Sequence, residues 1–528
     1  MCNWKFNVWG RISPETKKAF LISSILTIIV HLYAFSNMIL NHDGINTVLN
    51  RESTEHYIGL GRWAILPFLK ISSEQMMPAV IGTLSVLYIG FGTALLISVW
   101  DIHSDLAIFL VCAMVSSFPV MVNTFCYMYT ADAYFAAFAL SILYVWMMKK
   151  YNGWRSFFTG IVIMAVVCAI YQAYWCFGLV LLLAVCFMEY LRGKISFNVF
   201  VKNGIIYMLN LGISLVIYYI MARLVQAITG THFSSYQDFD RLGEFGSIKE
   251  VYWYGREAFK QFIDFYFIDG GFIKDYRLIV FNILIIIVTV ILIIRFFYIV
   301  SRKWYEQIVF WILLLSIPVV TNVLSVISRN RLWPVMMIAF LIPYLLSIAC
   351  CEHLVSFGAG KLQKLMAIVC CLSVFFVSFI NYLTTNRIYV RMDLAYEATY
   401  SYLTKMTMRL EDYPEYRHDI PVSFINESDI DSENTLNQVK IFSVDFPEAM
   451  SVFDDLDSLR DVDSKTMIRN EKDIVDFCKT FLGFKLEIVP NEERIKMYEN
   501  DEVQDMPVYP DEGSIRKIGE QIVIKLPG

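Results

Sequence analysis

The chain is poor in charged residues, and this shortage excludes most classes of soluble protein. Of its 528 residues, 18% are charged and 57% are hydrophobic, whereas a soluble globular domain has about 25% charged and 45–50% apolar residues. The mean hydropathy is +0.52. This composition excludes a soluble enzyme, a nucleic-acid-binding protein and a disordered scaffold, and it predicts a polytopic membrane protein.

Disulfide and metal motifs are also missing. Ten of the 11 cysteines lie in residues 1–371, nearly all within apolar runs, and only Cys478 follows them. No CxxC or Cys/His spacing typical of a metal site occurs, so we expect the cysteines to be small buried apolar residues. The C-terminal part has neither a Gly-rich phosphate loop nor a nucleophile elbow.

The charges are divided unevenly along the chain. Residues 1–382 hold 27 Lys and Arg against 19 Asp and Glu, whereas residues 383–528 hold 17 against 30. We therefore predict a polytopic membrane domain over 1–382 and an acidic, water-soluble α/β domain over 383–528, which is within the size range of an independent domain. Its strands are predicted at 421–425, 439–444, 485–489 and 521–526, with a helix around 474–482.

Eleven apolar runs, some of them short, are read as crossings of a hydrocarbon core about 30 Å thick. They cover residues 19–40, 78–100, 106–122, 133–148, 157–172, 174–191, 205–227, 278–300, 308–327, 335–351 and 365–382. The stretch 157–191 is either one kinked segment or a hairpin that turns near residues 171–175. We predict the hairpin, because the stretch greatly exceeds one crossing.

Short loops rich in Lys and Arg predict the orientation. They precede the first span and follow spans four, six, eight and ten, and all lie on one side if the N-terminus is cytoplasmic. Eleven crossings then place the acidic domain outside. The prediction is a multi-pass membrane protein with an extracytoplasmic C-terminal domain, and the low cysteine content of that domain is compatible with a bacterial envelope.

Ionisable residues are nearly absent from the middle of the spans, which argues against a coupled transporter. His31 is the main exception, and we interpret it as a neutral, hydrogen-bonded histidine rather than a proton relay. Charges gather instead at the predicted outer ends of the spans, although each of the two carboxylates could simply cap a helix. The charged set is Asp43, Asp132, Arg223, Arg329 and Arg331, and its polar and aromatic neighbours include Tyr129, Tyr171 and Gln172.

This outer set fits an active site for a lipid-linked sugar. Arginine binds phosphate oxygens bidentately, a carboxylate can act as base toward an acceptor hydroxyl, and aromatic and amide side chains suit a sugar. Arg329 and Arg331 occupy a short outer loop, against the positive-inside bias. We interpret them as ligands of the donor phosphate, and the alternative is that they snorkel to lipid headgroups.

Four short sequence motifs lie at or near this outer set. They are Asn41-His42-Asp43-Gly44, Gly61-Arg62-Trp63, the stretch from Phe118-Pro119 to Tyr129-Thr130-Ala131-Asp132, and Tyr171-Gln172-Ala173-Tyr174. These motifs resemble the bacterial Gtr-type glucosyltransferase family, the serotype-converting O-antigen glucosyltransferases of the GT-C superfamily. The acidic domain, which closes with Met506-Pro507-Val508-Tyr509-Pro510 and Gln521–Leu526, resembles that family as well.

The resemblance implies a GT-C fold and transfer of glucose from undecaprenyl-phosphate-glucose to a hydroxyl of a surface glycan such as O-antigen. The first outer loop of GT-C enzymes carries the catalytic carboxylate, which corresponds here to Asp43. Relatives often have two adjacent acids where this chain has one, so Asp132, Glu52 and Glu55 are further candidates. Arg62 and Trp63 join the predicted substrate-binding residues.

The expected partners are a polyprenyl-phosphate-linked sugar, a surface glycan acceptor and the lipid bilayer, with no nucleic acid, cofactor or metal. Two alternative functions remain open. An O-antigen polymerase or ligase also acts outside on lipid-linked sugars, but its large functional loop would lie late in the membrane domain. A flippase for lipid-linked glycans would line a central cavity with charge, which the spans lack.

Overall fold

The computed structural model describes residues 12–48, 53–151, 153–234, 246–269, 271, 275–300, 303–354, 360–426, 468 and 470–527. Within these residues, nine helical segments are long and apolar enough to cross a membrane, and two shorter apolar helices accompany them. Each of the eleven predicted runs falls on one of these segments. The protein is a polytopic helical membrane protein with a few strands near its C-terminus, as predicted.

The membrane part runs from α1 to α16. Its helices are α1 (Pro14–Ser36), α2 (Thr54–Gly59), α3 (Leu66–Ile71), α4 (Pro78–Trp100), α5 (Asp105–Ser117), α6 (Pro119–Cys126), α7 (Met128–Lys150), α8 (Trp154–Ile170), α9 (Gln172–Leu191), α10 (Phe197–Thr229), α11 (Ile248–Ile263), α12 (Tyr276–Val300), α13 (Trp304–Thr321), α14 (Val323–Ser328), α15 (Ile342–Leu354) and α16 (Lys361–Glu411). A short 3₁₀ helix, His42–Thr47, follows α1 and is called the Asp43 turn below.

Local sequence explains several of these boundaries. Ser13 caps α1 by accepting a hydrogen bond from the Thr16 N–H, and a proline follows at the first helical position, which suits its fixed φ and missing N–H. Ser104 and Ser196 cap α5 and α10 in the same way. A second proline, Pro119, separates α5 from α6 because it cannot continue the preceding helix.

The predicted hairpin over 157–191 is confirmed. Tyr171 is the single extended residue between α8 and α9, with φ −160° and ψ 119°. Gly178 on α9 lies against the Met164 side chain on α8, and the two residues are equally distant from Tyr171 along the chain. The two helices therefore run back along each other.

Basic loops meet at one end of the helix bundle. Asp101, just after α4, pairs with Arg192 at 3.0 Å, Lys194 at 2.7 Å and Lys149 at 3.3 Å. Lys18 of α1 pairs with Asp105 at 2.5 Å. The start of α1 and the loops after α4, α7 and α9 thus share one face, which is the grouping that the Lys and Arg pattern predicts.

His31 lies deep in the bundle and links three helices. Its Nε2 donates to the Ser116 carbonyl at 2.8 Å, and its Nδ1 lies 2.7 Å from the Tyr389 hydroxyl. A neutral imidazole satisfies both bonds, with Nδ1 as the acceptor. The contacts fit the interpretation of His31 as a hydrogen-bonded histidine that ties α1 and α5 to α16.

The C-terminal part is carried on α16, which runs without interruption through the predicted domain boundary at 382–383. It contains β1 (Val422–Asn426), α17 (Glu471–Phe477), α18 (Asn491–Tyr498), α19 (Asp501–Gln504), β2 (Ile515–Ile518) and β3 (Gln521–Leu526). The strand order is β1-β3-β2, with β1 parallel and β2 antiparallel to β3.

The strands predicted at 421–425 and 521–526 are confirmed, as is the helix that becomes α17. The segment 485–489 forms only an isolated parallel bridge, between Ile488 and Val422. The strand predicted at 439–444 lies outside the described residues. The sequence prediction missed β2, because Arg516 and Lys517 interrupt its apolar pattern.

Candidate active site

Asp43 lies in the first turn of a 3₁₀ helix at the end of the bundle opposite the basic loops. Asn41 caps this turn, accepting a hydrogen bond of 2.8 Å from the Gly44 N–H, so Asp43 is not the cap. The Asp43 side chain is 45% exposed, and its Oδ1 lies 3.1 Å from Nε2 of the buried His42. Asp43 is thus a carboxylate that is open to solvent and oriented by a neighbouring histidine.

Arg62 follows a helix end whose geometry requires a glycine. Gly61 adopts φ 67°, and its N–H bonds to the Ile58 carbonyl while the Arg62 N–H bonds to the Tyr57 carbonyl. This is the Schellman arrangement, in which glycine terminates a helix at low cost. The Gly61-Arg62-Trp63 motif therefore has a structural glycine and an arginine projected from the end of α2.

The Arg62 guanidinium rests on a pair of stacked tyrosines. Its Nη1 donates to the Tyr134 hydroxyl at 3.1 Å, and its Cζ lies 4.7 Å from the centre of the Tyr171 ring. The two rings stack with centres 4.2 Å apart and planes 3° from parallel. Among the described carboxylates, none pairs with Arg62, so its charge is held by aromatic faces and a hydroxyl alone.

Hydrogen bonds from two helices, α9 and α10, fix the loop around Arg62. Gln172 Nε2 donates to the Leu60 carbonyl at 2.9 Å and to the Tyr218 hydroxyl at 3.1 Å. Gln226 Nε2 donates to the Ile58 carbonyl at 3.3 Å, and its Oε1 accepts from Arg223 Nη1 at 3.4 Å. The structure thus brings together the predicted residues Arg62, Tyr171 and Gln172, with Arg223 joined through Gln226.

His56 connects this cluster electrostatically to the Asp43 turn. Burial and the nearby Arg62 guanidinium lower the pKa of His56, and the Asp43 carboxylate opposes them. The imidazole is therefore neutral at neutral pH. Asp43 and Arg62 act on the same imidazole, so they belong to one electrostatic neighbourhood.

Asp132 differs from Asp43 in its surroundings. α7 begins at Met128, so Asp132 lies within the helix and does not cap it. Its side chain is 1% exposed. Tyr129, in the first turn of the same helix, is partly buried, and its ring centre lies 6.1 Å from that of Tyr127.

Arg329 and Arg331 lie in the loop after α14, which a buried amide network holds in place. Gln261 accepts hydrogen bonds from Asn322 Nδ2 at 2.9 Å and from the Leu332 N–H at 3.2 Å, and it donates to the Leu332 carbonyl at 2.8 Å. Arg329 has φ 56°, a left-handed backbone conformation that is unusual for residues other than Gly, Asn or Asp.

The two arginines of this loop are not equivalent. Arg331 Nη2 lies 3.5 Å from Oδ2 of Asp264, whose side chain is 13% exposed. For Arg329, no described carboxylate is close enough to pair. No described contact joins this loop directly to Asp43 or Arg62, although α14 packs on α9.

The helix α11 supports this loop. Sequence spacing places Phe259, Phe262, Ile263 and Tyr266 on one helical face, which predicts a helix lying in the membrane interface, with an ordinary aromatic belt as the alternative. The helix is present, but Phe262 and Tyr266 are buried against Phe340, at 5.8 and 6.0 Å between ring centres, while Phe259 stays exposed. Most of the predicted lipid-facing surface thus packs on the protein.

Several buried polar atoms at this end of the bundle have no hydrogen-bond partner within the described part of the chain. They are Asn41 Nδ2, Arg62 Nε, Trp63 Nε1 and both amide atoms of Asn123. Buried polar groups are nearly always bonded, so these four donors and one acceptor are candidates for binding a ligand.

Two kinds of residue were missed by sequence reasoning. His56, Tyr134 and Tyr218 lie within predicted loops or spans, and His42 is part of a motif but is given no role of its own. Arg391 is 1% exposed in α16, beyond the predicted end of the last span. Glu52, a candidate base, lies outside the described residues, and Glu55 is exposed on α2.

No group of three or more His, Cys, Asp or Glu side chains is arranged to hold a metal ion within the ranges that the structure describes. The chemistry available at this face consists of an open carboxylate, guanidinium groups and stacked aromatic rings.

The fold is that of a polytopic helical membrane protein, and the described end of its bundle gathers polar and charged side chains. The family model described as glucosyl transferase GtrII matches residues 32–346, more than half of the chain. The chain therefore belongs to the GtrII glucosyl transferase family and is a glucosyltransferase. No curated protein and no solved structure matches it significantly. The matched range contains every candidate residue from Asp43 to Arg331.

Proposed function

We propose that this glucosyltransferase moves glucose from a polyprenyl-phosphate-glucose donor, such as undecaprenyl-phosphate-glucose, to a hydroxyl of a surface glycan of the O-antigen type. The reaction takes place at the outer face of a bacterial inner membrane, and the helices form a GT-C fold. The N-terminus is cytoplasmic and the C-terminal part, from 383 to 528, is an extracytoplasmic domain. The basic loops at the opposite end of the bundle support this orientation.

The observation that carries the proposal is the Arg62 guanidinium, with which no carboxylate of the described residues pairs. Its guanidinium lies on Tyr171, donates to Tyr134, and has a buried Nε without a described partner. An isolated cation in such surroundings is costly unless an anion joins it. A phosphate diester at the membrane face supplies that anion and accepts charge-assisted hydrogen bonds.

Arg329 and Arg331 are proposed to bind the same phosphate directly or to stabilise its negative charge from a distance. Arg329 is the stronger candidate, since Asp264 already neutralises Arg331. Trp63, Tyr129, Tyr171, Gln172 and Arg223 are proposed to line the sugar and donor site.

Asp43 is proposed as the general base that removes the proton of the acceptor hydroxyl. Its exposure allows a glycan to approach, whereas Asp132 is 1% exposed. His42, 3.1 Å away, would hold the carboxylate in position. Asp132 and Glu52 remain the alternative carboxylates.

The test is transfer of labelled glucose from synthetic polyprenyl-phosphate-glucose to lipid-linked glycan by membranes that contain the protein. Asp43→Asn should lower the rate at least ~10²-fold, because a positioned general base contributes about 10²–10⁴-fold. Asp132→Asn and Glu52→Gln are the matched carboxylate variants, and membrane insertion of each is checked by immunoblot.

Mass spectrometry of the surface glycan, with and without the gene, completes the test. A hexose side branch that depends on the gene supports the proposal. Altered chain length would indicate a polymerase, and lost glycan export a flippase. If Asp43→Asn transfers glucose at a near-normal rate and Glu52→Gln loses activity, the general base is Glu52 and not Asp43.

A further inference from the structure

The C-terminal part lies directly on the Asp43 turn. α17 packs against this turn, and Ile474 and Phe477 on α17 are fully buried. His42 and Ile45 of the turn are buried as well. The turn that presents the proposed base is therefore covered on one side by a helix that follows it by more than 400 residues in the sequence.

An aromatic cluster fixes α17 to α16. The Phe477 ring centre lies 5.8 Å from that of Tyr396 and 6.4 Å from that of Tyr400, and Phe481 lies 5.4 Å from Tyr396. Tyr396 and Tyr400 are one turn apart on α16 and present their rings on one face. α17 is therefore anchored to a helix that continues directly from the membrane bundle.

A buried ion pair secures α17 within its own domain. Glu471, at the start of α17, lies 2.8 Å from Nε of Arg494, which is 5% exposed. Asn470 caps the helix by accepting a hydrogen bond from the Asp473 N–H. These contacts fix the N-terminal end of α17, and the packing of Phe477 on Tyr396 and Tyr400 fixes its C-terminal end.

The Asp43 turn needs such support. A 3₁₀ helix has poor hydrogen-bond geometry and seldom persists beyond a few residues. The described backbone bonds of its flanks are few: Gly44 N–H to the Asn41 carbonyl, and Met76 N–H to the carbonyl of Val48. Tertiary packing must therefore stabilise its conformation.

We propose that α17, through Phe477, positions Asp43 for catalysis, so that the C-terminal domain is part of the catalytic apparatus and not a passive cover. Phe477 is a positioning residue, because its described ring contacts are with Tyr396, Tyr400 and Phe481 of the protein itself. The inference rests on the proposed role of Asp43. Displacement of a catalytic group by about 1 Å can lower a rate about 10²-fold, so loss of this support should act on kcat.

The test compares Phe477→Ala with Phe484→Ala in the full-length protein. Phe484 also joins the C-terminal domain to the segment after α16, with its ring centre 6.3 Å from that of Tyr416, but it does not belong to α17. Phe477→Ala should lower kcat at least ~10-fold with an unchanged KM for polyprenyl-phosphate-glucose. Phe484→Ala should keep kcat near wild type, and Phe477→Leu should restore most of it.

A second measurement does not depend on activity. Asn46 is an exposed residue of the Asp43 turn, and Asn46→Cys allows labelling with a membrane-impermeant maleimide. Labelling should be faster when combined with Phe477→Ala than with Phe484→Ala. Tyr396→Ala removes the ring on α16 that Phe477 packs against, so it should change kcat and the labelling rate in the same direction as Phe477→Ala. It replaces Phe477→Ala in the test if that variant does not fold.

Wild-type kcat and labelling in both Phe477→Ala and Tyr396→Ala would overturn the inference. A higher KM for the acceptor with unchanged kcat would also overturn it, because α17 would then be a wall of the acceptor site. If the wild-type protein does not use the polyprenyl donor at all, the proposed function fails, and the labelling rates still decide whether α17 holds the turn.

Discussion

Replacing Arg62 tests the proposed donor site most directly, because its side chain makes few described contacts and each can be removed separately. The guanidinium makes one hydrogen bond, to Tyr134 at 3.1 Å, and one cation–π contact, with Tyr171 at 4.7 Å. The remaining N–H groups are available to a phosphate. Arg62→Lys keeps the charge but cannot bond to Tyr134, rest on Tyr171 and bind a phosphate bidentately at the same time.

The expected size of the effect follows from these contacts. A hydrogen bond to a charged group contributes about 1.5–3 kcal/mol, so losing one to the donor in Arg62→Lys should lower kcat/KM for the donor about 10- to 10²-fold. Arg62→Ala loses both bonds of the fork, and a fall of about 10²- to 10⁴-fold is expected.

The assay is kcat/KM for polyprenyl-phosphate-glucose at a fixed acceptor concentration in proteoliposomes. Arg155→Ala is the matched control, since Arg155 also stacks on an aromatic ring, that of Trp154 at 5.5 Å, but at the other end of α8. Tyr134→Phe removes the internal hydrogen bond without touching the charge and should cost less than Arg62→Lys. A folded Arg62→Ala protein with wild-type donor kinetics would refute the assignment of Arg62 to the donor phosphate.

Two further predictions concern the loop that carries Arg329 and Arg331 and the orientation of the protein in the membrane. Arg329→Ala should raise the donor KM and leave the acceptor KM unchanged. Arg331→Ala should raise the donor KM less, because Asp264 already pairs with Arg331. Replacement by lysine should restore donor binding only partly, and unchanged donor kinetics in both alanine variants would favour snorkelling to lipid headgroups. A cysteine at Glu499, exposed in the C-terminal domain, should react with an impermeant reagent in spheroplasts, whereas one at Asn198, exposed at the start of α10, should react only after permeabilisation. Equal labelling of both sites in intact spheroplasts would contradict the proposed orientation.

The membrane helices could be predicted because hydrocarbon imposes a simple requirement on the sequence. A crossing segment needs a long apolar run, and each run from residue 19 to residue 382 marks a helix. The hairpin around Tyr171 followed from length alone. Hydropathy detects only the apolar part of a helix and gives no sign of its polar continuation. The sequence therefore predicts an end near residue 382 for α16, which continues to Glu411.

The candidate site was predictable only as a list of residues. Arg62, Tyr171 and Gln172 are far apart in the sequence, and their contacts depend on how α8, α9 and α10 pack around the end of α2. The pairing of Arg331 with Asp264 was also hidden, since nothing in the sequence marks a partner for an arginine in another loop. The cap of the Asp43 turn was ambiguous because Asn41 and Asp43 both favour capping, and the fold selects Asn41.

The continuity of α16 restricts how this protein can change in length. Tyr389 bonds to His31 inside the bundle, and Tyr396 holds α17 about two helical turns further on. One residue inserted between them would rotate everything beyond it by about 100° and shift it by about 1.5 Å. α17 would then face away from the Asp43 turn. Between residues 389 and 396, substitutions should be tolerated far better than insertions or deletions, because the length of α16 sets the distance and angle between the helix bundle and the C-terminal part.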